Sequence, residues 1–508
     1  MKKLAPVVTT LGLVLMLFSF TMLLPLLVAW LTEDGAVTVY DDSIAVTFVS
    51  GLLMWLASHR IKRELAARDG YLLVSLIWSV LPAFATLPLL LHLPNLSFTD
   101  AYFETMSGLT TTGATVLTGL DHLPKSINLW RHQLNWMGGM GIIVLAVAIF
   151  PLLGVGGMQL YKAETPGPMK DDKLTPRITE TAKNLWLVYV AITLACILSL
   201  MAVGLDWFEA TCHAFAVMGL GGFSTHDASV GYFNSPMVEY VLILFMLIAG
   251  MNFATHFLAW RGKSLRVYLA DAEAKAFLLL VLGSCMGITW YVWMKGVYAD
   301  FWVALRYVSF NLVSLATDCG FVSTDYNAWP PFATFWMLYL SCVSVSSGST
   351  GGGIKMVRTL LTFNQAMREM SKQIHPAAVL PLRLGKQVVE NHIVFAVQTF
   401  VLVYCTMVLF LTLILMFSGL DLVSSTSAVI ACINNAGPRP QRRRSGEQFL
   451  AADGFSDLGM HLRHAGGAPG TVHAAGVVYP GVLEEVKAVP GARSSSGTMP
   501  LCMQRGMP

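Results

Sequence analysis

Four short apolar segments in this chain each end in a turn containing glycine, and those turns are where chemistry at membrane depth is to be sought. Phe98–Leu109 leads into Thr110, Thr111, Thr112 and Gly113; Trp207–Gly219 leads into Leu220, Gly221 and Gly222. Phe301–Ala316 precedes Thr317, Asp318, Cys319 and Gly320, and Asp421–Ile433 precedes Asn434, Asn435, Ala436 and Gly437. With Gly113, Gly222, Gly320 and Gly437 aligned, the intervals are 109, 98 and 117 residues, so one unit recurs four times. The chemistry such a unit offers is cation solvation. A short helix directs its C-terminal end, worth roughly half a negative charge, toward the turn. Carbonyl oxygens of the turn can replace an ion's hydration shell, with glycine supplying the backbone freedom to align them.

Nine positions before each glycine stand Glu104, His213, Asn311 and Ala428. Buried polar groups in a membrane need partners, so the first three predict a structural hydrogen bond behind each turn. Three threonines before Gly113 are uncommon at the end of an apolar helix and favour an ion-facing turn over a polar helix end. Gly221 and Gly222 could instead serve close helix packing, but they share the register of the other turns. Asp318 leaves two readings open: a carboxylate that attracts cations, or one held behind the turn by hydrogen bonds.

The elements that must position these turns are membrane spans. Of the 508 residues 55% are hydrophobic and 12% charged, with mean hydropathy +0.61, a lipid-embedded composition. Nine apolar stretches are expected to cross: 5–30, 43–57, 70–91, 133–153, 185–205, 238–260, 276–294, 332–361 and 393–417. With the N-terminus inside, 21 Lys and Arg fall in inner segments and 4 in outer ones, the remaining 8 of 33 lying after Pro438. That asymmetry fixes the orientation. The segments between spans are too short to cross and read as re-entrant pore helices, tolerated because protein or a water-filled cavity surrounds them.

Other functions find no support in the sequence. No phosphate-cradling loop, zinc-ligand run or nucleophile elbow is present. An intramembrane protease would need ionisable residues paired at depth, and neither Gly-x-Gly-Asp nor His-Glu-x-x-His occurs. The eight cysteines are scattered singly and read as packing residues. No organic cofactor and no nucleic-acid partner are expected.

At Ser107–Thr115, Asn135–Gly141 and Gly221–His226 the sequence resembles the TrkH and KtrB family of potassium-uptake proteins, and its TrkH branch more closely, over residues 1 to about 438. The resemblance implies an all-α polytopic fold of four pseudo-symmetric helix, pore-loop, helix repeats around one pore, preceded by an extra helix pair. It also implies potassium as the transported ion, a homodimer in the bacterial cytoplasmic (inner) membrane, and a soluble TrkA-like nucleotide-binding subunit on the cytoplasmic face. In the family the filter carbonyls come from the residues just before each glycine, here Thr111 and Thr112, Leu220 and Gly221, Asp318 and Cys319, Asn435 and Ala436. With one aligned glycine per repeat, discrimination against sodium is expected to be looser than in a two-glycine filter. Transport could be passive or coupled to another ion, and a relaxed, sodium-permeable pathway is the alternative within the same class.

The eighth span is interrupted by Ser344–Gly353, which has little helical propensity and no apolar face. Such a break is a liability unless it lines a cavity. The resemblance implies an intramembrane gating loop, with Gly348, Gly351, Gly352, Gly353 and Lys355 as its candidate residues; a packing kink is the bland alternative. Lys355 and Arg358 equally fit simple positive-inside placement.

The expected organisation is therefore a helix pair and cytoplasmic loop at 1–69, pore repeats at 70–183, 184–275 and 276–386, an incomplete fourth repeat at 387–438, and a tail at 439–508. After Pro438 the chain reads Arg-Pro-Gln-Arg-Arg-Arg and contains no apolar window of about 20 residues. The tail is rich in Gly, Ala, Pro, Arg and His, a disordered composition. A reading-frame shift after about codon 438 would account for it, leaving the fourth turn without its return span and the chain with little or no conduction.

Overall fold

The computed structural model describes residues 4–61, 67–148, 178–385 and 387–436. Gly437 and the tail lie outside the described residues, and with them the expected loss of the fourth return span.

An N-terminal helical layer comes first. α1 (Ala5–Thr21) and α2 (Leu23–Thr32) form one span, interrupted at Met22, that packs against α3 (Val37–Ser58). The crossing is glycine on glycine: a Cβ on Gly12 would lie 2.6 Å from the Gly51 carbonyl oxygen, and one on Gly51 would lie 2.7 Å from that of Gly12. Small residues permit this approach, which dispersion and backbone contact reward in lipid.

Repeat 1 comprises α4 (Ala67–Ala85) and α5 (Leu87–His92), the pore helix α6 (Phe98–Leu109) and α7 (Lys125–Ala148). In repeat 2, α8 (Ile178–Ala202) precedes the pore helix α9 (Trp207–Gly219), followed by α10 (Pro236–Ala249) and α11 (Phe253–Gly262). The short α12 (Arg266–Ala270) leads to repeat 3, with α13 (Ala272–Met294), pore helix α14 (Phe301–Ala316), α15 (Pro331–Val343) and α16 (Met356–Ile374). A two-residue antiparallel hairpin, β1 (Arg383–Leu384) with β2 (Gln387–Val388), precedes α17 (Asn391–Phe417) and the fourth pore helix α18 (Leu422–Asn434).

Of the nine expected spans, 133–153 runs out of the described residues after Ala148. Among the described residues six helices are long and apolar enough to cross, or seven when a bent pair counts as one. The expected span 332–361 falls short for a visible reason: α15 has only 13 residues before the intramembrane loop. The expected continuous span 238–260 is instead bent by 95° between α10 and α11. The break has a structural purpose. Gly250 gives its carbonyl to Ser346 N at 3.0 Å and Phe253 N donates to Gly348 O at 3.1 Å, so the backbone groups freed by the bend are satisfied by the loop that interrupts the next repeat.

Candidate functional site

Each pore helix begins and ends in the same way. Ser97, Asp206, Asp300 and Asp421 cap the N-termini, each side chain accepting a hydrogen bond from a first-turn amide. At the C-termini, Thr111, Leu220, Asp318 and Asn435 all adopt left-handed backbone, with φ of 58, 52, 62 and 58°. Each of these residues donates its N–H three residues back, to Gly108, Val217, Leu315 and Cys432. The residue after each, Thr112, Gly221, Cys319 and Ala436, donates five residues back, to Ser107, Ala216, Ser314 and Ala431. This is the Schellman termination four times over, normally built on glycine. Non-glycine residues here cost about 1–3 kcal/mol each, a strain held in place by the surrounding repeats.

The four turns close into a ring. A Cβ on Gly113 would overlap the Gly221 carbonyl oxygen, and one on Gly222 would overlap that of Cys319, so repeats 1, 2 and 3 abut glycine to carbonyl. Thr112 Oγ1 donates to Asn435 Oδ1 at 2.9 Å, joining repeat 4 to repeat 1. Asn434 Nδ2 donates to Ser341 Oγ at 3.0 Å, tying repeat 4 to repeat 3. The residues Thr111, Thr112, Leu220, Gly221, Asp318, Cys319, Asn435 and Ala436 are thereby brought together and are all buried apart from Asn435.

Behind three turns lies the expected polar bond. Glu104 accepts from Thr115 Oγ1 at 2.9 Å and Val116 N at 3.0 Å. His213 Nε2 meets Ser224 Oγ at 3.2 Å, and Asn311 both donates to Ser323 Oγ at 3.0 Å and accepts from Ser323 N at 3.2 Å. Ala428 has no side chain to do this. Repeat 1 adds what sequence reasoning missed: Arg131, 1% exposed, pairs with Glu104 at 2.7 Å and reaches across to Ser224 O at 3.4 Å. Its guanidinium also lies 4.5 Å from the centre of the Phe223 ring. A buried arginine needs such full pairing, and an arginine beside an apolar run was the available signal. Asn135 was missed too, although it opens one of the signature stretches. Its carboxamide is buried against Gly221 and makes no hydrogen bond among the described residues.

Beside the N-terminal end of α9, His226 clasps repeats 1 and 2. Its ring bonds Asp121 through Nδ1 and lies 3.3 Å from Glu209 through Nε2, while stacking on Tyr232. Asp227 accepts from Gly119 N and Leu120 N at 2.9 and 3.1 Å. Burial would lower the His226 pKa, but the bonds to Glu209 and Asp121 prevail and raise it.

Beneath the ring runs the loop 344–355. Ser344 Oγ donates to Ala316 O, Thr350 Oγ1 donates to Met218 O at 3.0 Å, and a Cβ on Gly352 would overlap Asn434 O. It therefore touches the C-terminal ends of three pore helices. Lys355, itself at φ +73°, donates to Gly351 O, and its charge lies within electrostatic reach of Asp318. Asp318 sits beside Gly352 N–H, yet its carboxylate makes no hydrogen bond of good geometry among the described residues.

A multi-pass helical membrane protein whose four re-entrant helices bring their C-terminal turns together has the architecture of a transporter. The chain belongs to the TrkH family: the family model, described as a cation transport protein, matches residues 38–439. The Trk system potassium uptake protein TrkH of Halomonas elongata is 46% identical over 429 residues, 84% of this chain and 89% of that relative. TrkH of Escherichia coli K12 is 44% identical over 428 residues, covering 84% and 89%. The crystal structure of the potassium transporter TrkH from Vibrio parahaemolyticus superposes with a TM-score of 0.78 at 40% identity, covering 86% of this chain and 91% of that one.

Proposed function

We propose that this chain is the translocation subunit of a Trk-type potassium-uptake system, in the cytoplasmic membrane with its N-terminus inside. The observation that carries the reading is the fourfold Schellman ending: four helix C-termini, each with about half a negative charge, converge on one ring and attract a cation. Carbonyls of Thr111, Thr112, Leu220, Gly221, Asp318, Cys319, Asn435 and Ala436 then stand in for the ion's water, with Gly113, Gly222, Gly320 and Gly437 completing the filter. The loop carrying Gly348, Gly351, Gly352, Gly353 and Lys355 obstructs the path below the ring, so it acts as the gate. A homodimer and a TrkA-like nucleotide-binding partner at the cytoplasmic face follow from the family relationship.

A second reading, a pathway relaxed toward sodium, is favoured by Ala428, which leaves the fourth turn without the polar bond that backs the other three. Rubidium uptake with potassium or sodium as competitor separates the two. Stronger competition by potassium supports the first reading and equal competition the second.

A further inference from the structure

The loop 344–355 is closed at its base. Met356 N donates to Val345 O at 2.7 Å and Ile354 N to Cys342 O at 2.8 Å, so its two ends run side by side. One side chain from outside the loop joins them. Glu273, in the first turn of α13 and 4% exposed, accepts through a single oxygen, Oε1, from Ser347 N at 2.5 Å and from Val357 N at 3.1 Å. Those two amides bracket every glycine of the loop and Lys355. Glu273 is itself held by the helix start: Asp271 caps α13, accepting from Glu273 N at 2.9 Å, and its other oxygen accepts from Thr255 Oγ1 of α11 at 2.9 Å.

We propose that Glu273 is the positioning residue of the intramembrane loop, a latch that keeps the loop beneath the ring by satisfying both of its flanking amides. The inference deepens the gate reading and rests on it. A buried amide left unpaired is costly, so while the latch holds, loop opening must break two bonds at once. Because Glu273 belongs to the first helix of repeat 3, any tilt of α13 is transmitted to the loop base without passing through the turns above. The turns themselves contain none of the atoms involved, so latch and ion preference are separable.

Hydrogen exchange on the purified full chain tests this without requiring conduction. In Glu273→Ala, exchange of peptides covering residues 344–358 should accelerate at least about fivefold, the factor that one lost hydrogen bond of ordinary strength produces. Peptides covering the turns at 110–115, 219–224 and 317–322 should exchange as in the parent. Glu273→Gln keeps an acceptor oxygen at the same place and should restore slow exchange. Unchanged exchange at 344–358 in the alanine variant would overturn the proposal, as would acceleration shared equally by the turns, or a glutamine variant no slower than alanine. Rubidium uptake in parallel bears on the transport reading alone, because a latch can be present in a chain that conducts nothing.

Discussion

At Gly222 the backbone does two things no other residue can combine: it adopts φ +64° and leaves room for the Cys319 carbonyl of the next repeat. Serine there forces the ring apart, and overpacking of this kind costs about 1–3 kcal/mol before the left-handed strain is added. Gly222→Ser should therefore still reach the membrane but lose most of its preference for potassium over sodium in competition uptake; an unchanged preference would count against the ring as a filter. His226 offers a pH-dependent case. Its raised pKa means that the clasp to Asp121 and Glu209 contributes fully below the unfolded value of about 6.5 and is lost as pH rises through the higher folded value. Melting temperature in detergent should fall across that window in the parent and stay flat in His226→Gln; parallel curves would sink the idea. The glycines, Glu104, His213 and Asn311 were legible in the sequence because they recur at one spacing. Arg131, Glu273 and Asn135 were not, because each acts once, on partners distant in sequence, and leaves no periodic trace.

Among the elements, the pore helices were readable almost to the residue, since an N-cap, a short apolar run and a glycine turn are all local signals. The 95° bend between α10 and α11 was not. Hydropathy registers only that 238–260 is apolar, whereas the break depends on the loop of another repeat supplying partners for Gly250 O and Phe253 N. The loop itself announced a break through its glycines, while its partners were visible only in three dimensions. Gly352 makes the consequence testable. A Cβ there would overlap Asn434 O, so an alanine must push the loop off the fourth pore helix. Gly352→Ala should raise basal rubidium uptake several-fold, with the ratio of potassium to sodium competition unchanged. Uptake no faster than the parent's, in a variant that folds, would favour the packing-kink reading of this segment.

For the whole molecule, a ring of four turns demands that all four repeats be present at once, because each turn is walled by its neighbours. Repeats 1 to 3 abut directly, and α18 closes the circuit through Asn434 and Asn435. The family match ends at residue 439, beside the point where the composition changes. We propose that residues up to 436 carry a potassium-selective ring, which is best tested where the ending is not the variable. Rubidium uptake should be measured in an uptake-deficient bacterium expressing this chain with everything after Ala436 replaced by the corresponding ending of the Halomonas elongata relative. We predict uptake that potassium suppresses more strongly than sodium; a hybrid that inserts in the membrane yet takes up no rubidium, or whose uptake sodium suppresses equally, would contradict the account.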